Sequence, residues 1–224
     1  MSFSMTDIVQ TKRHRTRDQL LVAAQELLLA EGAAVLGVRR VATQAGLVHS
    51  SFYNYYADTG ALLDGLASLL VAGHLKAVGQ VRDGIEAPAE LFAVTTRQTL
   101  RIFQASPRYT RLMFDSGIPV DRLSRGLGAH MRQDLRAGVR DDSFRVHDLD
   151  VAVTIASGAI LALALAHLRR SKRAADIDGL TLELLRMLGV PAERAEALAT
   201  AKVTFSEAPA IPMTWKALGL VAPD

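Results

Sequence analysis

The sequence predicts an all-α protein, with a compact three-helix unit at the N-terminus and a larger helical bundle behind it. Three observations carry this expectation. Ala and Leu are abundant while Pro is sparse, 7 in 224 residues. Apolar residues recur at helical spacing, and long strand-like alternation is missing. The stretch Val38–Leu63, VRRVATQAGLVHSSFYNYYADTGALL, reads as two short helices around a tight Gly turn, then the start of a third.

Half of the residues are hydrophobic, enough at this length to bury a core as one or two domains. Absence of cysteine excludes disulfides and thiolate metal sites and fits a reducing cytoplasm. The opening MSFSMTDIVQTKRHR has no apolar run ahead of its basic residues, so no secretory signal is expected. The net charge of +3 is a poor guide to partners. Up to residue 63, Lys12, Arg13, Arg15, Arg17, Arg39 and Arg40 are nearly balanced by Asp7, Asp18, Glu26, Glu31 and Asp58.

Taken in order, Lys12, Arg13, Arg15 and Arg17 form an acid-free basic arm. Such an arm suits phosphates or a minor groove, and equally a solvated tail. Thr16-Arg17-Asp18-Gln19 has capping-box form and is expected to start the first helix. Leu20, Ala24, Leu27 and Leu28 make its inward stripe, and Gly32 closes it. In the next helix Val41, Ala42 and Ala45 share a face, Gly46 supplies a left-handed stop, and Leu47 is a buried plug. Phe52 and Tyr56 point inward from a second short helix. Its other face carries His49, Ser50, Tyr53 and Asn54, all able to hydrogen-bond and none with a fixed charge. An apolar inner side with a polar outer side is what a helix needs to enter a DNA major groove. Any helical hairpin with a polar face reads the same way.

The residues resemble something more specific. Val41-Ala42, Ala45-Gly46-Leu47-Val48, Ser51-Phe52-Tyr53-Asn54-Tyr55-Tyr56 and Ala61-Leu62-Leu63 resemble the DNA-binding domain of the tetracycline-repressor (TetR) family. The resemblance covers roughly residues 12–70. It departs at Val48, which replaces a capping Ser, at Ser50-Ser51, which replace Gly-Thr, and at Thr59, where a phosphate-contacting Lys is usual. Gly37 also replaces a capping Thr. The resemblance implies that Arg39, His49, Ser50, Ser51, Tyr53, Asn54, Tyr55 and Thr59 face double-stranded operator DNA. Asn54 suits adenine, and the tyrosine hydroxyls suit phosphates.

Ala61 to about Val81 should form a longer connecting helix. Pro88 opens another, with Leu91, Val94, Thr95, Gln98, Ile102 and Phe103 on one face. Ser106-Pro107 is a break, Tyr109, Leu112, Met113 and Phe114 form an apolar patch, and Gly117-Ile118-Pro119 ends it. Asp121 to Ala137 is expected to be an Arg-rich helix and Gly138 to His147 a loop. Residues 151–168 form an apolar segment, taken as the only one near bilayer length, and read as a buried soluble helix rather than a membrane span. Residues 178–188, with Leu180, Leu184, Leu185 and Leu188 on one side, follow it. This pair resembles the family's dimerisation helices, which implies an isologous homodimer; a monomeric core remains the alternative. Pro191 starts one more helix, and the segment from Phe205 either drapes around Trp215 or stays disordered.

No catalytic loop or triad is present, and no two His stand four apart, so neither an enzyme, a metal nor a cofactor is expected. The domains expected are 12–70 (hairpin motif about 37–56), 71–204 for ligand binding and dimerisation, and a tail at 205–224. The functional expectation is a ligand-responsive transcriptional regulator, a repressor released from a pseudo-palindromic operator by a small, mostly apolar effector. Phe103, Met113, Phe114 and His167 are its candidate pocket residues. The alternative is a helical ligand-binding or scaffold module whose hairpin has lost DNA binding.

Overall fold

The computed structural model describes residues 5–170 and 176–223, with side chains from residue 13 onward. Among these there is no strand. Helix α1 (Met5–Glu31) corrects the expected start at Thr16. The basic stretch before Thr16 contains good helix formers and neither Gly nor Pro, so nothing stops the helix there. The basic cluster therefore rides on a helix and is no extended arm. Arg13 and Arg15 are exposed; the side chain of Lys12 lies outside the described residues. Leu20, Ala24, Leu27 and Leu28 are buried, and Gly32, at φ +80, ends the helix. A 3-10 turn, Ala33–Val35, leads to α2 (Val38–Gln44) and α3 (His49–Phe52).

Helix α4 (Thr59–Gly79) runs unbroken through the boundary expected at residue 70. Its cap is Asp58, whose carboxylate accepts from Ala61 N at 2.8 Å. After a turn, α5 (Pro88–Ala105) forms the centre of the bundle. It packs against α4, α7 (Val120–Arg140), α8 (Leu149–Leu168) and three shorter helices, α6 (Pro107–Phe114), α9 (Ile177–Met187) and α10 (Ala192–Thr200). It is buried nearly all round rather than on one face. That burial encloses Arg97, which pairs with Asp178 at 3.0 Å and donates to Ala201 O at 2.6 Å.

The Arg-rich helix is α7 (Val120–Arg140), three residues longer than expected at its C-terminal end. Gly126 within it lets Val71 of α4 approach closely; a Cβ there would meet Val71 Cγ1 at 2.8 Å. Helix α8 (Leu149–Leu168) is capped by Asp148. Within one protomer it is only half sunk into the bundle. Ala152, Val153, Ala156, Ile160, Leu163 and Ala164 face inward. Val151, Thr154, Ile155, Gly158 and Ala162 form one exposed stripe. Nor is this segment alone in its length and hydropathy, since α4 is also long and apolar enough to cross a membrane. Helix α4 looks membrane-like because the bundle closes around it, burying nine of its residues.

The C-terminal segment is a strap. From Phe205, stacked under Arg97 and Arg101, it crosses α5 and α4 and returns to α1. Ser206 is bonded to Gln98 and to Ala77 O. Gln25 of α1, fully buried, accepts from Met213 N at 2.7 Å and donates to Met213 O at 2.8 Å. Asp18 accepts from Trp215 N at 3.0 Å and Lys216 N at 3.3 Å. Trp215 opens a last short helix, α11 (Trp215–Leu218), and is buried. Lys76 donates to Leu218 O and Arg17 to Pro223 O.

Candidate functional site

Two places on the molecule have the makings of a site: the outer face of the α2–α3 hairpin and a cavity in the bundle. In the hairpin, Gly37 caps α2 with its backbone only. Gly46, at φ +70, turns the chain where a side chain would be strained. Val48 caps α3 without a side-chain bond, as its replacement of a capping residue implies. Phe52 and Tyr56 are buried against α1 and α2 with ring centroids 5.9 Å apart. Burial raises the Tyr56 pKa. Arg17 lies 5.5 Å above its ring.

With that inner side anchored, the opposite side turns outward. His49, Ser50, Tyr53 and Asn54 are exposed, and Ser51, Tyr55 and Thr59 are half-buried. The Tyr53 ring stands edge-on to His49 (5.4 Å) and to Phe52 (5.8 Å), which fixes its direction. Arg39 and Arg40 are exposed on α2. Arg40 is tied to Glu31; Arg39 makes no ion pair among the described residues. The ridge thus offers hydrogen-bonding groups and one uncommitted cation, and Thr59 adds no charge at the start of α4. Polar links connect this end of α4 to α7: Arg122 donates to Gly60 O at 2.8 Å, and Asp64 pairs with Arg122 and, at 3.9 Å, with Arg125.

The cavity, about 230 Å³, lies between α4, α5, α7 and α8. Phe103 and Phe114 are on its wall; Met113 and His167 are not. Met113 is fully buried in the core one residue from Phe114, a third of a helical turn away. His167 is half-buried near the end of α8. Among the wall residues that the sequence did not point to are His74, Arg82 and Asp134. His74 stacks on Phe103 (5.3 Å) and its Nε2 lies 3.2 Å from Thr99 Oγ1. Burial lowers its pKa to about 4, so it is neutral at pH 7. At the other end Arg82 and Asp134 make a two-pronged pair, both bonds 2.8 Å. A His on an apolar helix was a detectable signal; a pair 52 residues apart was not.

Comparison with known proteins follows the same lines. The family model described as "Tetracyclin repressor-like, C-terminal domain" matches residues 87–201. Curated protein sequences gave no match. Among solved structures, RolR in complex with resorcinol is 28% identical, with a TM-score of 0.69 over 88% of this chain and 99% of RolR. FadR from Bacillus subtilis in complex with stearoyl-CoA is 15% identical, with a TM-score of 0.60 over 78% of this chain and 97% of FadR. A tetR-family regulatory protein from Rhodococcus RHA1 is 18% identical, with a TM-score of 0.56 over 79% of this chain and 98% of its own. The last two speak for the fold alone.

Proposed function

The chain belongs to the tetracycline-repressor family of transcriptional regulators, and on that footing we propose a cytoplasmic, homodimeric repressor that a small effector releases from its operator. Family members are regulators rather than enzymes. What supports the DNA-binding half is a single arrangement: Phe52 and Tyr56 are sunk in the core, so His49 and Ser50 of α3 and Tyr53 and Asn54 of the turn that follows it stand out beside Arg39. Two such ridges, one per protomer, would enter successive major grooves about 34–36 Å apart. Arg39, Ser51, Tyr55 and Thr59 would hold the backbone, and Asn54 would read a base edge. The exposed basic residues Arg13 and Arg15, with Lys12, would add phosphate contacts from α1.

The exposed stripe of α8 supports the dimer. Val151 and Ile155, about half exposed, with Gly158 and Ala162 beyond them along the helix, offer an apolar and close-packing face. Helix α9 would join with Gly179, Leu182, Glu183 and Arg186, because Leu184, Leu185 and Leu188 are already used inside the protomer. The cavity supports effector binding, and RolR bound to resorcinol is a precedent for a small ligand in this fold. An effector releases DNA only by favouring a conformation in which the two ridges are misplaced.

The test is fluorescence anisotropy of the full chain on duplex DNA flanking its own gene. Salt-sensitive binding is expected, weakened roughly tenfold or more by Asn54→Ala or Arg39→Ala. Equal binding of wild type and both variants, or no binding to any flanking fragment, would overturn the reading and favour a module that no longer binds DNA.

A further inference from the structure

We propose that the ligand of the bundle cavity is an uncharged, single-ring aromatic compound carrying at least one hydroxyl group. The inference rests on the effector-controlled reading above and narrows it to a chemical class. Size comes first. An engineered apolar cavity of about 150 Å³ holds benzene, so about 230 Å³ holds one ring with a few substituents. A long acyl chain does not fit.

Charge comes second. Among the described residues, Arg82 and Asp134 are the only permanently charged ones on the wall, and they pair with each other through two bonds. A ligand carboxylate would have to break that pair and leave the partly exposed Asp134 carboxylate unpaired and repelling it at close range. His74, buried against Phe103, gives an anion no cation to pair with at neutral pH.

The walls then set the polar handle. Helices α4 and α5 run antiparallel, so His74 faces Thr99 and Phe103 at one end, and Arg82 lies near the start of α5 at the other. Phe103 and Phe114 meet edge to face at 5.0 Å at the His74 end and form an aromatic slot. Elsewhere on the wall, Ser157 donates to the sulfur of Met131, at 3.4 Å. A thioether is a weak acceptor, so this hydroxyl gains by turning to a ligand oxygen. Thr95 gives its proton to Leu91 O at 2.8 Å and keeps its acceptor lone pairs. The slot therefore takes a ring, and the cavity wall holds groups that both donate to and accept from the ligand. A hydroxyl does both, whereas an ether or ketone only accepts and a hydrocarbon does neither.

Isothermal titration calorimetry on the full chain, without DNA, tests this with phenol, catechol, toluene, benzoate and palmitate. Phenol or catechol should bind once per protomer. Toluene should bind about tenfold more weakly for the lost hydrogen bond, and benzoate and palmitate more weakly still. Ser157→Ala with Thr95→Val should lower phenol affinity about tenfold and leave toluene unchanged, while Leu127→Trp should block both. Trp215 emission and circular dichroism of each variant verify folding. Benzoate or palmitate binding more tightly than phenol, no phenol or catechol binding at all, or equal losses for phenol and toluene in the double variant would overturn the proposal. DNA plays no part in the measurement, so a failure here and a failure of operator binding are told apart.

Discussion

Replacing Gln25 by Ala should release the C-terminal strap. The Gln25 amide is fully buried and is bonded to both backbone groups of Met213, at 2.7 and 2.8 Å, with a further bond to Leu21 O at 3.1 Å. Truncation leaves the Met213 N–H and C=O without partners in a buried setting. Each such group costs about 1–3 kcal/mol, so a loss of about 2–6 kcal/mol is expected. Gln44→Ala is the control, because Gln44 gives up one exposed bond to Glu26 at 2.8 Å and should cost no more than about 0.5 kcal/mol. Trp215 is the only tryptophan in the chain and lies two residues from Met213. Its emission therefore reports strap docking directly, while urea titration followed by circular dichroism reports global stability. Gln25→Ala should shift emission to longer wavelength in native buffer and lower the unfolding midpoint. Unchanged emission together with a loss below about 0.5 kcal/mol would refute the claim that these bonds hold the strap.

Other expectations follow from single sites. His74, with its pKa lowered to about 4 from 6.5, is neutral in both folded and unfolded chains above pH 6.5, where its full contribution is present. Between about 6.5 and 4 only the unfolded chain takes up the proton. Stability should thus fall by up to about 3 kcal/mol over that window, at about 1.4 kcal/mol per pH unit; His74→Phe should remove this part of a pH–stability profile. Gly138→Ala should cost about 1–3 kcal/mol in thermal unfolding, because its Cβ would lie 2.1 Å from the buried ring of Phe144. Gly73→Ala should cost less, since the clash is with the flexible end of Met213 and Ala is the better helix former. Thr59→Lys should steepen the salt dependence of operator binding by about one unit of slope for the added phosphate contact; an unchanged slope would show that residue 59 does not approach the backbone.

The N-terminal hairpin was legible because its determinants are local. Gly46 is followed by a plug, and Phe52 and Tyr56 stand one helical turn apart, so spacing alone assigns inside and outside. The start of α5 was legible for the same reason, marked by Pro88, whereas Pro107 read only as a break and it also opens α6. Where α1 begins was not legible, since a capping-box pattern is decisive only if something interrupts the helix before it. The cavity was half legible. Bulk picked out Phe103 and Phe114, but neighbouring Met113 points elsewhere, and of two His on apolar helices the reading chose His167 rather than His74. The strap left one local trace, a Gln25 seated between Leu21 and Leu28 on an otherwise apolar side of α1. Its partner lies 188 residues away, beyond any periodicity.

Helix α4 is held from two sides. Gly73, Lys76 and Ala77 touch the strap, while His74, Leu75 and Val78 wall the cavity about half a turn away. A molecule that swells the cavity therefore pushes on a rod whose far side is fastened to the root of the hairpin through Gln25 and Asp18. For anyone building a biosensor from this chain, the C-terminus is the wrong place for a reporter. Anything joined beyond Pro223 would begin beside Arg17, next to the very joint whose motion is to be read.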